Sequence, residues 1–187
     1  MTYDYLVIGQ GIAGTHIAWQ ALQRGEQPLI IDKYQPGAAS QAAGGLVNPV
    51  TGRNLTKNWR ADALIPFARQ TYRAQEAALG QQFYHMSEII RLFKDQKQQR
   101  KWWNNRRYDP AYQPYISEEQ VPQPLLEDVE AELGGVTLSH GAFLHAADYL
   151  RAFRRYFQKA GMLKEALLPY DQLAIGPEGV QWGALDA

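Results

Sequence analysis

The chain has 187 residues, of which 45% are hydrophobic and 20% charged, the composition of a soluble globular protein. Its 19 basic and 19 acidic residues cancel, so the chain as a whole has no electrostatic drive toward nucleic acid or an anionic membrane. The absence of cysteine excludes disulfides, thiolate metal ligands and thiol catalysis.

The first apolar run is Tyr5-Leu6-Val7-Ile8, preceded by Asp4. It is too short for a membrane span of ~20 residues. It reads as a first strand rather than a signal peptide, which makes the cytoplasm the expected location. Gly9-Gln10-Gly11-Ile12-Ala13-Gly14 follows at once, and a second apolar run, Leu29-Ile30-Ile31, ends in Asp32. Strand, glycine turn, helix, strand and acid form the fingerprint of a dinucleotide-binding βαβ unit.

Each position has a task. Gly9 lets the chain turn off the strand, Gly11 lets a pyrophosphate approach the backbone, and Gly14 lets helix and sheet pack closely. The first helical turn, Ile12 and Ala13 included, presents free N–H groups and a partial positive charge to phosphate. Asp32 is placed to accept hydrogen bonds from an adenosine ribose, with Lys33 beside it. Ala18, Leu22 and Gly25 continue the register along the helix to its C-terminal stop.

After Asp32 the chain leaves the simple βαβ alternation. Gly37-Ala38-Ala39-Ser40-Gln41-Ala42-Ala43-Gly44-Gly45 carries almost no bulk. Such a stretch suits close passage of backbone past a ligand, and it also suits a flexible linker. Next comes a helix over 61–79, with Leu64, Ala68, Tyr72 and Leu79 repeating at helical spacing and Gly80 at the stop. A strand over 86–93, a charged helix over 95–107 and a proline-punctuated stretch over 109–124 follow. A short acidic helix is expected over 127–132, strands over 136–138 and 142–145, and an amphipathic helix over 146–160. Residues 172–175 and 180–182 read as a hairpin around Gly176-Pro177-Glu178-Gly179.

Other features reduce mostly to structure. His16, His85, His140 and His145 show no metal-ligand pattern. Lys94, Lys97, Arg100, Lys101, Arg106 and Arg107 surround Trp102 and Trp103. That mixture can bind RNA, but in a neutral chain it reads better as an exposed helix with one tryptophan turned inward.

The segment from Tyr3 to about Trp59 resembles the N-terminus of FAD-dependent oxidoreductases of the D-amino-acid oxidase and glycine oxidase superfamily. Ala42-Ala43-Gly44-Gly45-Leu46-Val47-Asn48-Pro49-Val50-Thr51-Gly52-Arg53, with Lys57 and Trp59, is similar to a poorly characterised bacterial branch. The likeness continues through Arg91-Leu92-Phe93 and Ala146-Ala147-Asp148-Tyr149-Leu150. Members are usually about twice as long, so the resemblance implies the N-terminal half of such an enzyme.

The implied fold is α/β: a Rossmann-type FAD-binding βαβ unit with an inserted α+β substrate-binding subdomain, truncated. The FAD-binding domain is expected over 1–80 and 145–187, the substrate-binding subdomain over 81–144. FAD is the expected cofactor. The resemblance would place it against Gly9, Gly11, Ile12, Ala13, Gly14, Asp32, Lys33, Ser40, Gln41, Ala42, Ala43, Gly44 and Gly45. Leu168, on a strand after the helix over 146–160, would lie beside the adenine through its backbone.

The implied chemistry is oxidation of the C–N bond of an amino acid or secondary amine, by hydride transfer to flavin N5. Asn48, Arg53 and Lys57 are the candidates to meet substrate, Arg53 as a bidentate carboxylate holder, with solvated turn charges as the alternative. Two other outcomes stay open: an FAD-binding fragment without turnover, and a relative that oxidises a hydroxy acid. A nicotinamide-binding dehydrogenase piece is a weaker reading, disfavoured by the small-residue loop.

Overall fold

Four consecutive buried residues, Pro28–Ile31, mark a strand covered on both faces, as in parallel sheets with helices above and below. The computed structural model containing it describes residues 2–118, 121, 130–177 and 179–182. In chain order the elements begin with β1 (Tyr5–Ile8), α1 (Ile12–Gln23), β2 (Pro28–Ile31) and α2 (Ala39–Ala42). Three two-residue strands follow, β3 (Leu46–Val47), β4 (Val50–Thr51) and β5 (Thr56–Lys57), then α3 (Ala61–Leu79), β6 (Tyr84–Met86) and β7 (Ile89–Leu92). Then come α4 (Gln96–Lys101), a π-helical turn (Trp102–Arg106), a 3-10 turn (Gln113–Tyr115) and the strands β8 (Ile116–Glu118), β9 (Gly135–Leu138) and β10 (Ala142–Leu144). The last are α5 (Ala146–Lys159), β11 (Leu163–Lys164), a 3-10 turn (Tyr170–Gln172) and the hairpin β12 (Leu173–Gly176) and β13 (Gly179–Trp182).

The chain divides into two compact units, 1–43 with 146–187, and 44–145. The boundary expected at residue 80 falls at 43/44, because the helix expected to belong with the cofactor domain, α3, is part of the second unit. There, β6 follows closely on α3, and Glu76 accepts hydrogen bonds from the backbone of Phe83 and Tyr84, both at 2.8 Å.

In the first unit β2 is the middle of a parallel sheet ordered β1-β2-β11. Tyr5 pairs with Pro28 and Ile8 with Ile31, while Leu163 and Lys164 pair with Ile30 and Ile31. The βαβ alternation that the sequence appears to abandon after Asp32 therefore resumes: β2 reaches β11 through α5, with the second unit inserted in the crossover. Ala18 and Trp19 of α1 and Phe153 and Phe157 of α5 are buried, with Trp19 edge-on to Phe153 at 5.7 Å. Leu29 and Ile31 pack with Leu168 and Trp182, so the terminal hairpin closes onto the sheet.

His16 on α1 stacks on Tyr149 of α5, and burial holds its imidazole below the ordinary value of 6.5. A folded-state value below the unfolded one favours the fold above pH ~6.5, and that contribution is lost as pH falls. The melting temperature is accordingly expected to drop between pH 7 and 5, and His16→Phe to flatten that slope. Equal slopes in the two proteins would remove His16 as the cause.

The second unit holds two three-stranded sheets, β3-β10-β6 and β7-β9-β8, and the β4-β5 pair. The single strand expected over 86–93 is two strands belonging to different sheets, β6 pairing β10 and β7 pairing β9. The helix expected over 95–107 is α4, capped by Asp95 accepting from the Gln98 N–H at 2.8 Å, followed by the π-helical turn. Trp102 on that turn is fully buried among Phe93, Tyr112 and Val136. Arg107 lies over the ring of Trp103 at 4.9 Å, and Arg106 over Tyr112 at 4.9 Å. One tryptophan is thus in the core and the neighbouring cations cover aromatic surface.

On α3 the buried stripe is Ala61, Ile65, Tyr72 and Gln75, and Leu64 faces solvent. Of the acidic helix expected over 127–132, residues 127–129 lie outside the described residues, and 130–132 carry no helix. Among the described residues no helix is long and apolar enough to cross a membrane.

Candidate cofactor site

The glycine turn performs the geometry its spacing predicts. Gly9 stands at φ 91, in the region open to glycine, and its N–H donates to Ile31 O at 2.8 Å. A Cβ on Gly14 would lie 2.0 Å from Gly9 O and 3.2 Å from Val7 Cγ1, so only glycine lets α1 start this close to β1. Gly11, the N-cap of α1, carries no side-chain cap, and a Cβ there would meet Ser40 Oγ at 3.1 Å. The N–H groups of Ile12, Ala13 and Gly14 open the helix, where intrahelical bonding leaves donors available to an anion. Ser40 Oγ stands 3.4 Å from the Ile12 N–H.

Asp32 ends β2 beside this turn. Its Oδ1 accepts from the Gln10 N–H at 2.9 Å, and its Oδ2 accepts from Arg154 at 2.7 Å. Gln10 is buried: its side chain donates to Leu150 O at 3.0 Å and accepts from Arg154 at 3.2 Å. Arg154 also pairs with Glu165 at 3.0 Å and lies over the Tyr34 ring at 5.0 Å. Burial works against its charge, but hydrogen bonds to Asp32 and Glu165 outweigh that effect and raise its pKa.

A cavity of about 260 Å³ brings Gly11, Asp32, Lys33, Ser40 and Gln41 together with Gln10, Leu150 and Arg154. The small-residue stretch from Ala39 to Ala42, expected to be a loop, is a single helical turn that supplies one wall. Gly9, Ile12, Ala13, Gly14, Ala42 and Ala43 are not among the residues that line the cavity. Gly44 and Gly45 begin the second unit, where a Cβ on Gly45 would stand 2.0 Å from Leu144 O. The Gly45 position thus serves the approach of β3 to β10. Leu168 corrects an expectation: it follows β11 rather than lying on a strand, and its side chain is in the core beside Leu29 and Ile31.

The three substrate candidates differ in commitment. Asn48 folds its own turn, Oδ1 accepting from the Val50 N–H at 3.0 Å and its carbonyl from Asn58 at 2.6 Å. Lys57 is bound to Asp62 at 2.6 Å, and Tyr115 donates to the same carboxylate at 2.5 Å. Lys57 and Tyr115 hold the Asp62 carboxyl below its ordinary range, while burial and then Asp62 push the Tyr115 phenol up. Arg53 keeps a loose ion pair with Asp95 at 3.9 Å, its side chain 78% exposed.

A turn without side chains at the anion position, a helix N-terminus and a fixed carboxylate form a donor and acceptor set that fits a dinucleotide pyrophosphate and ribose. Comparison with known proteins agrees. The model of the DAO family, FAD-dependent oxidoreductase, matches residues 4–164. An uncharacterised oxidoreductase of Bacillus subtilis (strain 168), YurR, is 33% identical over 56 residues, 30% of this chain and 15% of that protein. Glycine oxidase from Bacillus cereus ATCC 14579 superposes with a TM-score of 0.67 at 18% identity, over 97% of this chain and 54% of its own. Iminodiacetate oxidase from Chelativorans sp. BNC1 superposes at 0.63 with 20% identity, over 95% and 50%. The chain thus spans about half the length of these solved structures. With the glycine turn, the acid and the family match in agreement, this chain belongs to the DAO family of FAD-dependent oxidoreductases.

Proposed function

We propose that this chain forms the adenosine and pyrophosphate part of an FAD site in an enzyme that oxidises the C–N bond of a small amino acid or secondary amine. The observation that carries the reading is the cavity uniting Gly11, Asp32 and Ser40 at the start of α1, in a chain matched by the DAO family over residues 4–164. FAD, when bound, supplies the two-electron acceptor for a hydride leaving the substrate carbon. The chain's own residues bind and orient. The Ile12, Ala13 and Gly14 N–H groups face the pyrophosphate, Asp32 takes the ribose hydroxyls, and Lys33, Ser40 and Gln41 line the remaining wall.

The similarity to a glycine oxidase and an iminodiacetate oxidase supports a carboxylate-bearing amine as substrate class. Of the three polar candidates, Arg53 is the exposed one and the most loosely paired, 3.9 Å from Asp95, whereas Lys57 is held by Asp62 at 2.6 Å and Asn48 by its own turn. A screen of glycine, sarcosine, iminodiacetate and glycolate under anaerobic conditions tests the class by bleaching of the flavin band near 450 nm. Bleaching by amines and not by glycolate is expected, and bleaching by glycolate alone would reassign the substrate to hydroxy acids. In the active enzyme Arg53→Ala is expected to raise KM about tenfold or more with little change in kcat. An unchanged KM would remove Arg53 from the site.

A further inference from the structure

We propose that Arg154 is a positioning residue of the FAD site, holding the Asp32 carboxylate in the orientation that receives the adenosine ribose. This rests on the reading of Asp32 as the ribose acceptor. Arg154 belongs to α5, in no part of the nucleotide-binding fingerprint, yet it lines the same cavity as Asp32. Its Nη1 reaches Asp32 Oδ2 at 2.7 Å and Gln10 Oε1 at 3.2 Å, while Nη2 reaches Glu165 at 3.0 Å.

Asp32 is thereby held at both oxygens, Oδ1 by the Gln10 N–H and Oδ2 by Arg154. A carboxylate oxygen has capacity for more than one donor, so each keeps acceptor capacity for a ribose hydroxyl. A carboxylate with both oxygens anchored has few orientations left to lose when the ribose arrives, and preorganisation of this kind adds affinity without a new contact. The guanidinium is itself fixed, with two acids on its edge and the Tyr34 ring 5.0 Å from its centre. A lysine has one ammonium and cannot bridge Asp32, Gln10 and Glu165 in the same fork.

The test is FAD titration of the purified protein, followed by fluorescence, for the parent and for Arg154→Gln, Arg154→Lys and Asp32→Asn. FAD carrying 2′-deoxyadenosine is titrated in parallel, and thermal melts confirm folding. Arg154→Gln is expected to weaken FAD about tenfold or more, Arg154→Lys to recover only part of the loss. The preference of the parent for FAD over the deoxy analogue should shrink in both variants. A purely structural role would weaken both ligands equally, which would overturn the proposal. Unchanged or tighter FAD binding in Arg154→Gln would also overturn it. If Asp32→Asn alone weakens FAD, the ribose reading stands and only the Arg154 role fails. If neither substitution matters, the ribose reading fails as well.

Discussion

Gly14→Ala is expected to abolish FAD binding and to destabilise the fold by about 3 kcal/mol or more, the upper range for overpacking. The added methyl would lie 2.0 Å from Gly9 O and 3.2 Å from Val7 Cγ1. Neither neighbour can step aside. Gly9 O belongs to the turn proposed to aim the backbone at the pyrophosphate, and Val7 is buried within β1. Relief would require α1 to move off the sheet, taking the Ile12 and Ala13 N–H groups with it. Chemical denaturation and FAD titration check the two halves separately. Gly25→Ala supplies a contrast, because Gly25 stands at φ 78 with nothing within 4 Å of its absent Cβ. That change should cost ~1 kcal/mol of backbone strain and leave FAD affinity intact.

Asp32→Ala should carry the second large effect, weakening FAD by at least tenfold and destabilising the protein by roughly 2 kcal/mol, the scale of a hydrogen bond to a charged group. It removes the acceptor for the Gln10 N–H and one of the two acids that balance Arg154. Glu165, at 3.0 Å, and the Gln10 side-chain oxygen, at 3.2 Å, remain, so Arg154 keeps two partners and the loss stays below that of a fully orphaned buried charge. The loss should persist at high salt, because the pair is largely screened from solvent, with side chains 12% and 20% exposed. FAD affinity unchanged in Asp32→Ala would show that the ribose is held elsewhere.

What could be read from the sequence follows the range of the forces involved. The glycine turn was legible because its constraints act within six residues: a positive φ at Gly9 and a closed space at Gly14 are local sterics. The bounds of α3 were legible for the same reason, since Gly80 at φ 63 ends the helix. Its buried face was less so. Helical spacing suggested Leu64, but tertiary packing buries Ile65 and even Gln75.

The split of 86–93 into β6 and β7 depends on β10 and β9, more than forty residues away in the chain. There, a Cβ on Gly141 would meet Ser87 O at 2.7 Å and Ile89 Cγ1 at 2.6 Å, which shows how closely that turn is packed. No local period carries such a signal. Arg154 was missed because its partner Asp32 is 122 residues distant and α5 reads simply as an amphipathic helix. The sequence signal that could have raised it is its place on the polar edge of α5, one turn after Leu150, on a helix already expected to return to the cofactor domain.

The most direct test of the account is a visible absorbance spectrum of the purified, folded protein after incubation with FAD and gel filtration, with mass spectrometry of the released cofactor. Flavin bands that travel with the protein and an FAD mass are expected, both lost in Gly14→Ala and diminished in Asp32→Ala. A folded protein that emerges colourless, or that holds flavin equally well after both substitutions, would contradict the assignment of the FAD site to these residues.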